Sequence, residues 1–305
     1  MDDVDIKIIQ ELLSNSRMTY RELADRLDLS VNSAHKRVQS LVEQGVVQRF
    51  TLHLTPKVLP QVWVRVCGKS ATVLMDETVE RLGANQNTSM VAVSSGNMLH
   101  ILGVLRDYAE VNKFVNFAIK TGEIADPDIR LPNPPHFQGT AEVSLTRTDY
   151  RILASLQENC RKQIVDMAAE LCISAKTVRR RLSGMEKGEA VHYRINFDHA
   201  LLGGVFTLLD LYVNKGVDPQ EVIALINRKY AKNLMGVRTF STLPNEITID
   251  VWTRSLAELK TLQDSLQREG SFSRIVPIMV YHATYFETWR EQHVRDHARY
   301  DRPNP

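Results

Sequence analysis

The sequence predicts an α+β fold in which a small helical module and a βαββαβ segment alternate, each written twice. Three observations carry this: a long internal repeat, a change of hydrophobic period inside each repeat, and turn residues where the period changes. Asp5 to Arg49 and Asp149 to Tyr193 align at a constant offset, with Asp5/Asp149, Ile8/Ile152, Leu12/Leu156, Asn15/Asn159, Arg17/Arg161, Ala24/Ala168, Leu27/Leu171, Ser30/Ser174, Arg37/Arg181 and Val47/Val191 identical. So large a period exceeds that of a solenoid, so each copy is a domain set rather than a stacking unit.

Within the first module Ile6, Ile9, Leu12 and Leu13 recur at helical spacing. Tyr20, Leu23, Ala24 and Leu27 form a second stripe, and Ala34, Val38 and Leu41 a third. Three helices therefore occupy the module. Ser30 and Ser174 suit the N-cap of the third helix, because a hydroxyl accepts from the free amides of the first turn. Only Asp28-Leu29-Ser30, or Cys172-Ile173-Ser174, separates the second and third helices, which is helix-turn-helix spacing. The β-rich runs Val46 to Leu54 and Ala190 to Phe197 then suit the strands of a wing.

After each module the order is strand, helix, two strands, helix, strand. In the first half these are Val62 to Cys67, Val73 to Leu82, Ser89 to Val93, His100 to Leu105, Tyr108 to Lys120 and Ile124 to Leu131. In the second they are Val205 to Val213, Pro219 to Tyr230, Met235 to Ser241, Ile247 to Thr253, Ser255 to Glu269 and Ser273 to Tyr281. That order describes a ferredoxin-like sandwich, a four-stranded antiparallel sheet with two helices on one face. Its other face needs a cover. With Trp63, Val91 and Leu102 as candidates on that face, a second copy of the sheet is the simplest cover, within the chain or between chains.

The domain boundaries that follow are 1–54 and 141–198 for the winged helix-turn-helix domains and 55–131 and 199–284 for the ferredoxin-like domains. A Pro-rich linker (132–140) joins the halves, and 285–305 form a C-terminal tail. The last residues, Asp301 to Pro305, are expected to fray.

A length of 305 residues, with 43% hydrophobic and 24% charged, fits a multidomain globular chain. No apolar run is long enough for a membrane span, and Asp2, Asp3 and Asp5 are the opposite of a cationic signal peptide, so a cytoplasmic protein with no membrane partner is expected. Cys67, Cys160 and Cys172 lack metal-ligand spacing and read as small buried hydrophobes. Gly-x-Gly-x-x-Gly, phosphate-loop and His-Glu-x-x-His patterns are all missing from the sequence, and neither an enzyme, a cofactor nor a metal site is expected. His293 and His297, four apart, fit a solvated helical tail better than a metal pair, with Phe286 and Trp289 pinning that tail.

A net charge of +2 gives no global case for a polyanionic partner, so the placement of charge decides. With Ala34, Val38 and Leu41 inward, Asn32, Lys36 and Gln39 face outward with Ser33 at the edge. In the second copy Lys176, Arg180 and Ser183 face outward, flanked by Thr177 and Arg179. Short polar side chains mixed with Lys and Arg supply donors for base edges and cations for phosphate, so double-stranded DNA is the expected partner. A polar helix face is also often merely solvated; two copies, each capped and followed by a wing, favour DNA. Arg37 and Arg181 sit to the side of this face, where either a phosphate contact or an ion pair with a carboxylate of the first or second helix suits them.

These motifs resemble the Lrp/AsnC (feast/famine) transcription regulators over nearly the whole chain. The likeness rests on Asp5-x-x-Ile8-Ile9-x-x-Leu12, Leu23-Ala24-x-x-Leu27-x-Leu29-Ser30, Arg37-Val38-x-x-Leu41-x-x-x-Gly45-Val46-Val47 and Leu54-Thr55-Pro56. In the repeat it rests on Asp149-x-x-Ile152-Leu153-x-x-Leu156, Ala168-x-x-Leu171-x-Ile173-Ser174 and Arg181-Leu182. Ordinary members are single copies, so the resemblance implies a tandem fusion with two non-identical readers, assembling as a homo-oligomer, a dimer of tandem chains. It also implies a small-molecule effector site at the turn Ser95-Gly96-Asn97, although that turn lacks the family's acidic residue and Leu243-Pro244-Asn245-Glu246 lacks its glycine. Siroheme decarboxylases share this architecture and supply the enzymatic alternative, for which His100, His282 and Arg106 would bind the substrate's carboxylates. A non-specific architectural DNA-binding protein is the third possibility.

Overall fold

The computed structural model describes residues 1–133 and 143–299. The linker residues 134–140 and the chain end from Asp301 to Pro305 lie outside the described residues. Helices α1 (Asp3–Ser14), α2 (Tyr20–Leu27) and α3 (Val31–Glu43) precede strand β1 (Val47–Leu54). The first sandwich half follows as β2 (Val62–Ser70), α4 (Met75–Gly83), β3 (Thr88–Ser94), β4 (Met98–Leu105), α5 (Val111–Gly122) and β5 (Ile124–Arg130). The repeat runs α6 (Arg147–Leu156), α7 (Ile164–Leu171), α8 (Ala175–Lys187), β6 (Val191–Phe197), β7 (Val205–Val213), α9 (Pro219–Lys229), β8 (Leu234–Thr239), β9 (Glu246–Thr253), α10 (Leu256–Arg268) and β10 (Phe272–Tyr285). A final helix, α11 (Trp289–Arg299), ends the described chain.

The chain forms two compact units, each drawing on both repeats. One holds the ferredoxin-like halves together with Met1–Gln10. Its eight strands run in the order β5-β2-β4-β3-β10-β7-β9-β8, so the two four-stranded sheets join edge to edge through β3 and β10. The outer strands also meet: Pro132 bridges to Phe240, Asn133 N donates to Thr239 O (2.9 Å) and Ser241 N to Leu131 O (2.9 Å). On the helix side of the first half Val64, Val66, Val91, Leu99, Ile101 and Phe114 form the core, and Leu209, Leu211, Ile247, Ile249, Leu262 and Leu266 do so in the second.

Val91 therefore lies on the helix side, not on the face assigned to it with Trp63 and Leu102. The register explains this, because Val91 pairs with Ile101 and shares its side, whereas Leu102 points the other way. Strand β10 also runs to Tyr285, past the expected end at Tyr281. Its extra residues are held by β3, with Ala283 opposite Ala92 and Tyr285 opposite Met90.

The other unit holds the helix-turn-helix modules. Strands β1 and β6 pair with each other, antiparallel, from Val47↔Phe197 to Leu54↔Val191, so each wing strand completes its ladder on the other copy. Leu52, Leu54, Ile152, Leu156, Val178, Leu182 and Met185 share a core with Trp289 and Val294 of α11. The tail is thus docked rather than solvated: Trp289, Arg290 and Val294 are buried, Gln157 Nε2 donates to Glu291 O (2.8 Å), and Tyr150 packs edge-on against His293 and at a tilt against His297. One helix face carrying Trp and Val outweighs the charged residues of the other.

Candidate nucleic-acid interface

Both helix-turn-helix modules are built the same way. The second helix of each module ends on a left-handed residue, Asp28 (φ 54°) or Cys172 (φ 54°), which turns the chain sharply into the next helix. Cys172 is exposed for this reason, whereas Cys67 and Cys160 are buried as expected. Ser30 Oγ then accepts from Ser33 N (3.1 Å) and Ser174 Oγ from Thr177 N (3.0 Å), so both serines cap the helix that follows. Ala34, Val38 and Leu41 of α3, and Val178, Leu182 and Met185 of α8, are the buried positions.

That burial leaves Asn32, Lys36 and Gln39 exposed on α3 and Lys176, Arg179 and Arg180 exposed on α8, with Ser33 and Thr177 half-buried beside the caps. Gln39 Nε2 donates to Glu43 (3.0 Å), an intrahelical contact that a ligand can replace. Lys36, Lys176, Arg179 and Arg180 enter no ion pair among the described residues. Arg181 is placed differently: its Nη1 donates to Thr146 Oγ1 (3.3 Å) and lies 3.4 Å from Asp149 Oδ2, on the cap and first turn of α6. Arg37 occupies the matching position and is half-buried.

The two modules are held to each other by a reciprocal clasp not foreseen from the sequence. Arg161 Nη1 donates to Ser16 O (2.7 Å) and Met18 O (2.8 Å), while Arg17 Nη1 donates to Cys160 O and to Lys162 O (3.3 Å). Asn15 and Asn159 shape the two loops, each accepting from the arginine amide two residues on (3.0 and 2.9 Å). Ser16 and Cys160 meet on the axis, Oγ to Sγ 3.1 Å. Arg161 also lies over the Tyr20 ring, 4.4 Å from its centroid. The exchange of partners is that of a two-fold interface folded into one chain. The signal was visible as the identical pairs Asn15/Asn159 and Arg17/Arg161.

The turn assigned to an effector joins β3 to β4. Gly96 (φ 76°) and Asn97 (φ 57°) are both left-handed, in the three-residue turn between the paired residues Ser94 and Met98. Both are exposed; Ser95 N donates to Met279 O (3.0 Å) and Asn97 O accepts from Ser70 N (2.8 Å). Of the residues named for the enzymatic alternative, His100 is buried. Arg65 can only donate, so His100 Nδ1 (3.2 Å) accepts and its Nε2–H faces Ser94 Oγ (2.8 Å). Burial, reinforced by the Arg65 guanidinium, holds its pKa well below the ordinary value and the ring neutral. Arg106 pairs with Glu110 (3.2 Å), and His282 is exposed, 3.0 Å from Thr284 Oγ1.

Residues 1–48 match the family described as winged helix-turn-helix DNA-binding, and residues 145–186 match the AsnC-type helix-turn-helix domain. Both helix-turn-helix modules thus match DNA-binding helix-turn-helix families, the second of the AsnC type. An uncharacterized HTH-type transcriptional regulator of Pyrococcus furiosus is 29% identical over 117 residues, 38% of this chain and 79% of its own length. The HTH-type transcriptional regulator LrpA of Mycobacterium tuberculosis is 39% identical over 57 residues, 19% of this chain and 38% of its own. Among solved structures, the siroheme decarboxylase NirDL superposes with a TM-score of 0.60 at 14% identity, covering 97% of each chain. At that identity the likeness is one of fold, and it shows the tandem architecture on a second chain.

Proposed function

We propose that this chain is a sequence-reading, DNA-binding transcription regulator whose two non-identical recognition helices, α3 and α8, are presented by one polypeptide. The observation that carries the reading is the pair of capped helices with exposed cations on their outer faces, Lys36 on one and Lys176, Arg179 and Arg180 on the other. Asn32, Ser33, Lys36 and Gln39 are assigned to one half-site and Lys176, Thr177, Arg179 and Arg180 to the other. Arg37 and Arg181, set to the side, are assigned to phosphate, with Arg181 reaching DNA only by leaving Asp149. Docked in successive major-groove faces, the readers engage half-sites about 34 Å apart or a multiple of that.

The function is assigned to binding and not to catalysis. His100, the buried candidate for the enzymatic alternative, is held neutral between Ser94 and Arg65 inside the sheet. A cytoplasmic site of action, a dimer of tandem chains and an effector near Ser95, Gly96 and Asn97 belong to the same proposal.

The test is selection of bound fragments from random DNA at several protein concentrations, with mass followed by light scattering. An enriched asymmetric motif at low concentration is expected, joined by its mirror image if chains pair. Arg180→Ala should then weaken binding by about 1–3 kcal/mol and relax preference at one base pair if it reads a guanine. A uniform loss with a shallower salt dependence would instead place Arg180 on phosphate. Failure to enrich any motif would overturn the sequence-reading function, and a Soret change with decarboxylated product on adding a tetrapyrrole would move the assignment to the enzyme.

A further inference from the structure

Within the joined sheet the two ferredoxin-like halves are not copies of each other. The strand registers pair Val62 with Leu105 and Val205 with Thr253, then Arg65 with Arg130 and Leu208 with Ile278. At matched positions, Arg65 therefore stands where the second half has Leu208, and Arg130 where it has Ile278. By the same registers Cys67 matches Asp210 and His100 matches Thr248. The first half supplies two guanidiniums, the second a carboxylate, and Arg65, Arg130 and Asp210 are each 5% exposed or less.

These groups meet across the interior. Arg130 Nη1 lies 3.1 Å from Asp210 Oδ2 and 3.2 Å from Glu246 Oε2, and Arg65 Nη1 lies 3.8 Å from Asp210 Oδ1. Thr248 Oγ1 donates to Asp210 Oδ1 (2.6 Å) and accepts from Arg65 Nη1 (3.4 Å). The first half has one carboxylate of its own in the cluster, Asp128, which accepts from Arg130 Nε (2.8 Å). Of the second half's nearby guanidiniums, Arg238 is held by Asp250, and Arg274 lies over the Tyr212 ring and acts on Glu246 rather than on Asp210.

Like-with-like pairing would be badly matched. Two first halves would bury four guanidiniums against two Asp128 carboxylates; two second halves would bury two Asp210 carboxylates without the arginines that face them. An uncompensated buried charge is strongly destabilising, and such a mismatch discriminates between partners even where the matched pair adds little net stability.

We propose that this charge asymmetry selects the partner: the inner face of the first half accepts a second half and excludes a copy of itself. The folded unit is then always built from one of each half, and ordinary subunit-with-itself pairing is closed to it.

Three full-length variants test this. The first carries Arg65→Leu, Cys67→Asp and Arg130→Ile, making half one resemble half two. The second carries Leu208→Arg, Asp210→Cys and Ile278→Arg, the converse. The third carries all six changes. Each three-residue variant should lose the wild-type melting transition, by about 10 °C or more, whereas the six-residue variant should regain over half of the loss and the wild-type mass. Co-expressed with different tags, the two three-residue variants should co-purify, since each supplies the complement the other lacks. The proposal is overturned if either three-residue variant melts like wild type, if the six-residue variant is no better than the worse of them, or if the two do not co-purify.

Discussion

Arg161→Ala tests whether the clasp between the helix-turn-helix modules is a structural requirement or an incidental contact. The substitution removes two charge-assisted hydrogen bonds to backbone carbonyls, at 2.7 and 2.8 Å, and the stacking over Tyr20 and Phe50 (4.4 and 5.4 Å). Hydrogen bonds to a charged group contribute about 1.5–3 kcal/mol each, and a cation over a ring roughly 0.5–1 kcal/mol at a partly exposed site. Arg161 is half-buried, so water replaces part of what is lost, and the expected destabilisation is about 2–4 kcal/mol. For a unit of this size that is a fall of roughly 4–15 °C in melting temperature, read by circular dichroism. Arg161→Lys keeps the charge but not the fork and should fall between wild type and alanine. Because Ser16 O and Met18 O lie on the other module, DNA affinity should fall with stability while the preferred bases stay unchanged. A loss under about 0.5 kcal/mol, or altered base preference at full stability, would refute the clasp.

Gly83→Ala would place a methyl inside the Phe286 ring, so it should destabilise by about 1–3 kcal/mol in urea unfolding, and Phe286→Leu in the same chain should relieve part of the loss. Trp289 is 6% exposed in the core it shares with Ile152 and Leu182, and Trp289→Ala should cost about 3–5 kcal/mol by the same assay; a neutral result would mean that α11 is detachable. Burial, with Arg194 beside it, pushes His192 down to about 4, and burial does the same to His199. Unfolded, each takes up its proton near pH 6.5, so stability should be full above that pH and fall by a few kcal/mol in total as pH drops toward 4. Denaturant midpoints that stay flat from pH 7 to 4.5 would contradict this.

Local chemistry made much of this fold legible. The Ser30 and Ser174 caps follow from the side chain alone, and Val205–Val213 is a β-branched and aliphatic run whose ends match the strand. Contacts made far along the chain were not legible. The end of β10 reads as weak strand sequence, His282-Ala-Thr-Tyr285, and is a strand because β3 presents its ladder there. The docking of α11 was hidden by its charged face, since Trp289 and Val294 need a partner surface that only the folded module provides. On α3 and α8 exposed positions follow from helical period, so the outward placement of Lys36 and Arg180 was legible; Arg181's tie to Asp149 was one of two outcomes its sidewise position allowed. The clasp was present as identities, but identity at a constant offset says that two loops are alike, not that they touch.

The repeat has kept its two copies alike and unlike in different places, and the difference follows physical need. Where the modules grip each other, Asn15/Asn159 and Arg17/Arg161 are identical, because a reciprocal exchange of donors and carbonyls works only if both loops keep the same shape. Where they would touch DNA, Asn32, Ser33 and Lys36 have diverged from Lys176, Thr177 and Arg180, since a fused chain has no symmetry-related copy obliging both readers to match. A two-fold clasp carrying unlike readers favours an operator with inverted half-sites that differ in sequence. Fusion puts both helices on one chain, so a single chain would occupy such a site with the first power of its concentration, and a steeper response would mark the pairing of tandem chains.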